Sequence, residues 1–259
     1  MNDYLTFAKN LAKDAGNIML EHFKPGIDRV IKADSTPLTI ADTQINQLVI
    51  DKVMAAYSTH SVMGEEDSSE ITNTEYVWVC DPIDGTTPYT FGVPTSMFSL
   101  ALVKDGVPIV AVLYDPYMQR MFEATLDSPT LLNGSSINVN ANSQLSDCYI
   151  SAYASQFGFV NAAGLLGAVL SSGSKSFNYI CITYESILVA LGSTAGAYFP
   201  GKTAWDIAAV KLIVEQAGGK VTNLKGAEQR YDGQIYGAIV SNGKIHDQLV
   251  DLVRPHLID

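Results

Sequence analysis

Basic residues are scarce in this chain. Its 259 residues include 16 Lys and Arg against 27 Asp and Glu, a formal net charge of −11. That balance argues against a nucleic-acid polymer or an anionic membrane as partner, since both call for a basic surface. Cysteine is scarce too. Cys80, Cys148 and Cys181 stand among apolar neighbours without a C-x-x-C spacing, so reduced core cysteines are expected and a disulfide framework is not. No His/Cys set has the spacing of a zinc site. Apolar runs all stop short of the roughly 18 residues that a membrane span needs, and no basic region followed by an apolar run opens the chain. Neither a span nor a signal peptide is expected, and the expected location is the cytoplasm. The length suits one compact unit over 1–259, built as two closely joined halves of about 1–130 and 131–259.

What is present is organised around Val77-Trp78-Val79-Cys80-Asp81-Pro82-Ile83-Asp84-Gly85-Thr86-Thr87. An apolar run, the pattern of a buried strand, stops at one carboxylate, and a second carboxylate follows three residues later. Pro82 predicts that the strand ends at Asp81. Gly85 lets backbone close on an anion, and a glycine turn leading into a helix makes a phosphate nest.

Around this stretch the periodicity predicts a core-facing helix from Tyr4 to Phe23, with His22 packed or at its rim. It predicts a second helix through Ile45, Leu48, Val49 and Val53, with Asp42 near its start as a cap. Ser61 to Met63 reads as a short strand running into Gly64-Glu65-Glu66-Asp67. Strands are predicted over Met97–Lys104, Val107–Tyr114, Arg120–Thr125, Asp147–Ala152, Ser176–Ile182, Lys220–Thr222 and Ile235–Val240. Helices are predicted over Phe159–Leu170, from Trp205 through Val214 with a glycine stop at Ala217-Gly218-Gly219, and over Lys244–Val253.

Glu65, Asp81, Asp84 and Asp206, from separated segments, are candidates for a single site. Two carboxylates about 4 Å apart cost on the order of 4 kcal/mol at an effective dielectric of 20, so such a cluster needs raised pKa values or bound cations. Oxygen-only ligands select a hard cation, Mg²⁺ before Mn²⁺ or Ca²⁺, and the spacing does not fit an EF-hand loop.

These residues resemble the inositol monophosphatase family of Mg²⁺-dependent, typically lithium-sensitive phosphomonoesterases. The resemblance rests on Gly64-Glu65-Glu66-Asp67, Asp81-Pro82-Ile83-Asp84-Gly85-Thr86-Thr87, Trp205-Asp206-Ile207-Ala208-Ala209 and Glu215-Gln216-Ala217-Gly218-Gly219, and it covers essentially the whole chain. It implies an α+β fold layered α-β-α-β-α, as in inositol monophosphatase and fructose-1,6-bisphosphatase, often as a homodimer. It also implies two to three Mg²⁺ ions. Glu65, Asp81 and the Ile83 carbonyl would hold one, Asp81, Asp84 and Asp206 a second, and a looser third would sit near Glu65. Asp42 would bond the hydroxyl of Thr86. Glu65 with the Thr86 and Asp42 pair would activate water, and Asp84, Gly85, Thr86 and Asp206 would hold the substrate, a small phosphate monoester.

Two rivals belong to other classes. Gly196-Ala197-Tyr198-Phe199-Pro200-Gly201-Lys202-Thr203 matches the P-loop pattern literally, although Tyr, Phe and Pro suit a phosphate-wrapping loop poorly. A non-catalytic pseudophosphatase would have lost a ligand, and none is lost here.

Departures from the inositol-specific pattern bear on the substrate. Ile180-Cys181-Ile182-Thr183-Tyr184-Glu185-Ser186 stands in the segment where those members carry Gly-Ser/Thr-Ala-Ala, and Phe199 stands where they carry a hydroxyl-binding acid seven residues before Asp206. Phe199 is expected to put apolar surface in the site, with Glu185 or a dimer partner as the alternative source of hydroxyl contacts. The Lys32-x-Asp34-x-Thr36-Pro37-Leu38-Thr39 form and Ser241-Asn242-Gly243-Lys244-Ile245-His246-Asp247 look more like the histidinol-phosphatase branch. Phosphoadenosine-phosphate phosphatases share a similar early motif. Pro88-Tyr89 replaces the usual Asn-Phe pair.

Overall fold

The computed structural model describes residues 1–33, 35–69, 75–153 and 158–258. The chain opens with helix α1 (Asn2–His22) and a small hairpin of β1 (Arg29–Ile31) and β2 (Pro37–Thr39), then α2 (Ile40–Ala56). Next come β3 (Ser61–Gly64), β4 (Tyr76–Asp84), the short α3 (Thr86–Phe91), and the run β5 (Met97–Lys104), β6 (Val107–Asp115), β7 (Arg120–Thr125), β8 (Ser128–Leu132) and β9 (Ser135–Ser136). The remainder is β10 (Tyr149–Ser151), α4 (Ala162–Ser171), β11 (Lys175–Phe177), α5 (Ile182–Ala190), β12 (Gly196–Phe199), α6 (Ala208–Gln216), β13 (Lys220–Thr222), β14 (Ala238–Ser241) and α7 (His246–Val253). Among the described residues no helix is long and apolar enough to cross a membrane.

Strands β3 to β9 form a seven-stranded sheet in chain order, antiparallel except for the parallel β3/β4 pair. A five-stranded sheet follows the order β11-β10-β12-β14-β13, parallel across its first three strands and antiparallel across the rest. The two-residue β5–β6 turn has Asp105 at φ +50° and Gly106 at φ +87°, the mirror-image geometry that matches strand twist.

Side-chain alternation on β4 decides which layers the large sheet separates. Trp78 and Cys80 face α1 and α2, packing with Leu11, Ala15, Met19, Ile45 and Val49. Val77 and Val79 face the other way, into a core shared with Ile187 and Val189 of α5, Val210 and Ile213 of α6, and Ala197 and Val240 of the smaller sheet. The far face of that sheet, through Ile150, Tyr198 and Ile239, packs on Leu165 and Val169 of α4 and Leu249 and Val253 of α7. The layers are therefore α-β-α-β-α, as the resemblance implied. A strand buried on both faces shows a continuous apolar run, which is why Val77 to Cys80 was legible.

Several boundaries differ from the sequence reading. Strand β4 does not stop at Asp81. It runs on to Asp84 through a register shift against β5, an irregularity that accommodates Pro82. The segment read as a strand over Ser176–Ile182 is strand only at Lys175–Phe177, and Ile182 begins a helix. Its β-branched Ile182, Thr183 and Ile187 mimic a strand, and its burial on nearly every side erases the amphipathic signal. Helix α4 begins at Ala162 rather than Phe159, because the Asn161 side chain caps it by accepting the Gly164 N–H at 3.1 Å. Helix α6 starts at Ala208, so Trp205 and Asp206 lie in the turn before it. Asp34, part of the early motif, lies outside the described residues.

His246 ties α7 to the smaller sheet. The ring is buried, with Nε2 2.8 Å from Thr222 Oγ1 and Nδ1 2.8 Å from Ser241 Oγ. Burial, helped by the Lys220 charge, pushes its pKa down to about 4. Between pH 6.5 and 4 the unfolded chain binds a proton at this site that the folded chain does not, so the contribution of His246 is lost as pH falls through that window. The loss is expected to reach on the order of 3 kcal/mol. Urea unfolding of wild type and His246→Gln at pH 7 and pH 4 checks it, since the two should converge or cross on acidification. A constant difference would contradict the assignment.

Candidate active site

The carboxyl end of β4 opens into a cavity of about 140 Å³. Its walls are Asp81, Ile83, Asp84, Gly85, Thr86 and Thr87 from β4 and the turn after it, Glu65 just past β3, Thr36 and Pro37 at the hairpin, Asp206 before α6, and Ile180 between β11 and α5. Five chain segments thus meet at the end of one strand. Carboxylate oxygens of Asp81, Asp84 and Asp206 lie within 4.8 Å of one another. Asp81 and Asp84 are buried and Asp206 is half-buried.

All three carboxyls are pushed up from the ordinary carboxylate range. For Asp81 the cause is burial first, then the charges of Glu65, Asp84 and Asp206. For Asp84 burial outweighs the bonds it accepts from Thr183 and Cys181. The Thr183 N–H reaches Asp84 Oδ2 at 2.6 Å. For Asp206 burial acts first and the charge of Asp84 next, opposed by the hydroxyl of Thr203. Oxygen donors packed this closely, strained by one another's charge, fit a hard divalent cation.

Glu65 lines the same cavity, and its charge acts on Asp81. It also pairs with Lys32, whose Nζ lies 2.7 Å from Glu65 and 3.0 Å from Glu66. Burial works against that ammonium, but the two glutamates outweigh it and hold it charged. Sequence reasoning gave Lys32 no role. The motif carrying it was visible, but its partners lie over thirty residues away.

Asp42 is fully buried at the start of α2, where its carboxylate accepts the Thr39 N–H at 2.8 Å. That is the reach-back half of a capping box. Its other oxygen is 3.4 Å from Thr86 Oγ1, which also donates to the Ile83 carbonyl at 3.0 Å. Burial raises the Asp42 carboxyl to about 7. Gly85 sits at φ +83°, and a Cβ there would meet the Cys181 Cβ at 2.9 Å, so both conformation and space require glycine.

Two expectations about this region are corrected. Phe199 puts no apolar surface in the site, because it is only 4% exposed and its ring packs over Gly201 in the core. The exposed apolar residue that does line the cavity is Ile180, which sequence reasoning quoted without assigning it a place in the site. Glu185 is not an open hydroxyl acceptor either. It is fully buried, with its oxygens taken by Ser151 Oγ and the Tyr179 N–H. The P-loop pattern also fails structurally. Gly196–Phe199 is β12, buried and paired with β14 rather than wrapped as a loop, and Lys202 is exposed.

Five alternating layers with an all-oxygen acidic cluster at a strand end, beside a left-handed glycine turn, are the build of a phosphate-ester hydrolase. The chain belongs to the inositol monophosphatase family, whose sequence profile matches residues 1–257, and it is a phosphatase of that family. It is 29% identical over 257 residues to a Thermotoga maritima fructose-1,6-bisphosphatase/inositol-1-monophosphatase, covering 97% of this chain and 96% of that one. It is 32% identical over 232 residues to the histidinol-phosphatase of Mycobacterium tuberculosis, covering 85% of each. A Xylella fastidiosa protein named Nus factor SuhB is 30% identical over 223 residues, covering 84% of this chain and 80% of its own. Among solved structures, a Thermotoga maritima IMPase superposes with a TM-score of 0.88 at 26% identity, covering 98% of this chain and 97% of that chain.

Proposed function

We propose that this protein hydrolyses a small phosphate monoester with the aid of Mg²⁺, by direct attack of water, with no covalent protein intermediate. The observation that supports this most is the convergence of the Asp81, Asp84 and Asp206 oxygens within 4.8 Å. These three, with Glu65 and the Ile83 carbonyl, would hold the cations. When bound, the cations supply charge neutralisation for the phosphate and for the leaving oxygen, and they acidify water.

The chain's own residues do the positioning. Asp42, with one oxygen committed to Thr39, orients the Thr86 hydroxyl so that its hydrogen points to Asp42 or the Ile83 carbonyl. The Thr86 oxygen then offers a lone pair to an attacking water. Glu65 accepts the proton released as that water bonds to phosphorus. The Gly85 and Thr86 amides, at the left-handed turn that opens α3, would hold the phosphate oxygens as a dipolar nest. As the ester P–O bond breaks, the leaving alkoxide takes a proton from solvent, and alcohol and inorganic phosphate are the products.

On the substrate side we infer an alcohol poorer in hydroxyls than inositol. The 32% identity to a histidinol-phosphatase supports that branch as the second reading to try, with phosphoadenosine phosphate after it. Lithium sensitivity and a homodimer, both implied by the family resemblance, belong to the same proposal, as does the cytoplasmic location expected from the sequence. Phosphate release from a panel of histidinol phosphate, inositol 1-phosphate and adenosine phosphates tests it. Activity is expected to vanish with chelator, return with Mg²⁺ and fall with Li⁺. Lys202→Ala should stay within about twofold of wild type, because it touches none of this machinery. Full turnover in chelator would sink the proposal.

A further inference from the structure

The turn between β11 and α5 holds a conformation that its residue disfavours. Ile180 lies at φ +59°, in the left-handed region where a β-branched side chain is a steric outlier. Such geometry persists where the surroundings over-determine it, and it concentrates at binding sites. Three hydrogen bonds do this here. The Tyr179 N–H donates to Glu185 Oε1 at 2.7 Å, the Ile180 N–H to Asn178 Oδ1 at 3.1 Å, and beyond the turn the Thr183 N–H to Asp84 Oδ2 at 2.6 Å. Glu185 is fully buried and braced by Ser151, so the anchor is rigid. One buried carboxylate behind the turn and one in the acidic cluster therefore clamp a strained backbone. The outcome is an isoleucine side chain at the mouth of the cleft.

Ile180 is 47% exposed while lining that cavity, whereas the other aliphatic wall residues, Ile83 and Pro37, are buried. Beside it the Tyr179 ring is exposed and stands edge-on to Tyr184, with centroids 5.5 Å apart. We propose that Ile180, flanked by Tyr179, is the specificity wall for the alcohol half of the substrate. The favoured monoesters then carry a planar or apolar group next to the ester oxygen. This rests on the phosphomonoesterase reading above and narrows it. An aliphatic wall offers a hydroxyl no partner, so a polyol packed against it loses water without compensation, whereas a planar group gains contact.

The test is kcat/KM for phenyl phosphate and for glycerol 2-phosphate, with saturating Mg²⁺, in wild type, Ile180→Gly and Ile180→Asn. Glycine and asparagine both tolerate the left-handed backbone, so both variants keep the turn, the first without a wall and the second with a polar one. The ratio of phenyl phosphate to glycerol 2-phosphate is expected to fall at least about tenfold in each, chiefly through a higher KM for phenyl phosphate. Thermal midpoints should be unchanged or raised. Turnover of both esters with a ratio unmoved within about twofold in both variants overturns the wall and leaves the phosphomonoesterase reading standing. Release of phosphate from neither ester by the wild type, with Mg²⁺ or Mn²⁺, overturns that reading and this inference together.

Discussion

Asp84→Asn is expected to lower kcat/KM at least about 10²-fold while leaving the metal-free protein more stable than wild type. Both halves follow from one geometry. Asp84 shares a 4.8 Å cluster with Asp81 and Asp206, so its charge is what a cation would need and what the metal-free fold tolerates poorly. The amide keeps the volume and can still accept the Thr183 N–H that Asp84 Oδ2 accepts at 2.6 Å, so α5 should stay anchored. Relief of repulsion on the order of 1 kcal/mol corresponds to a rise in Tm of about 2–4 °C for a chain of this size. Kinetics and calorimetry on one preparation check both signs. A residue that merely supported the fold would give the opposite pair, near-normal turnover with a lower Tm.

The second large effect is the response of stability to metal and pH. Asp81, Asp84 and Asp206 are all raised in the folded protein, and burial raises Asp42 and Glu185 to about 7 each. Above their unfolded pKa near 4 the folded chain holds more protons at these groups than the unfolded chain. Their contribution is thus fully present at low pH and is lost as pH rises through the folded values. His246 works in the opposite direction, but only below pH 6.5. From pH 6.5 to 8 the carboxyls act unopposed by it, and Tm of the metal-free protein should fall. Mg²⁺ at a hundredfold excess over its Kd should add about 2.7 kcal/mol per site and flatten that slope, because the cation takes the place of the protons. A Tm indifferent to both Mg²⁺ and Mn²⁺ at pH 8 would contradict the metal assignment.

The acids of the site were legible because each sits at a signal that local sequence carries. Asp81 closes a run apolar on both faces, Gly85 marks a turn that demands positive φ, and Asp206 precedes an amphipathic helix. Helix α5 was not legible. Its apolar, β-branched residues are buried between two sheets, so neither periodicity nor propensity separates it from a strand. Phe199 was misplaced for a related reason. Position relative to Asp206 reveals neither strand β12, which the sequence reading did not predict, nor its facing, and the pairing of β12 with β14 is what turns that ring into the core.

The sequence by itself determined the ligand chemistry, the glycine turn and the alternation that makes β4 a two-faced central strand, all of which depend on residue type and spacing over a few positions. Tertiary structure alone decided what surrounds them: Lys32 beside Glu65, and Glu185 clamping the turn that presents Ile180. The first relation joins residues 33 positions apart, and the second strains a backbone against its own preference. Only the packing of complete layers selects such contacts, because each costs chain entropy or strain that local interactions do not repay.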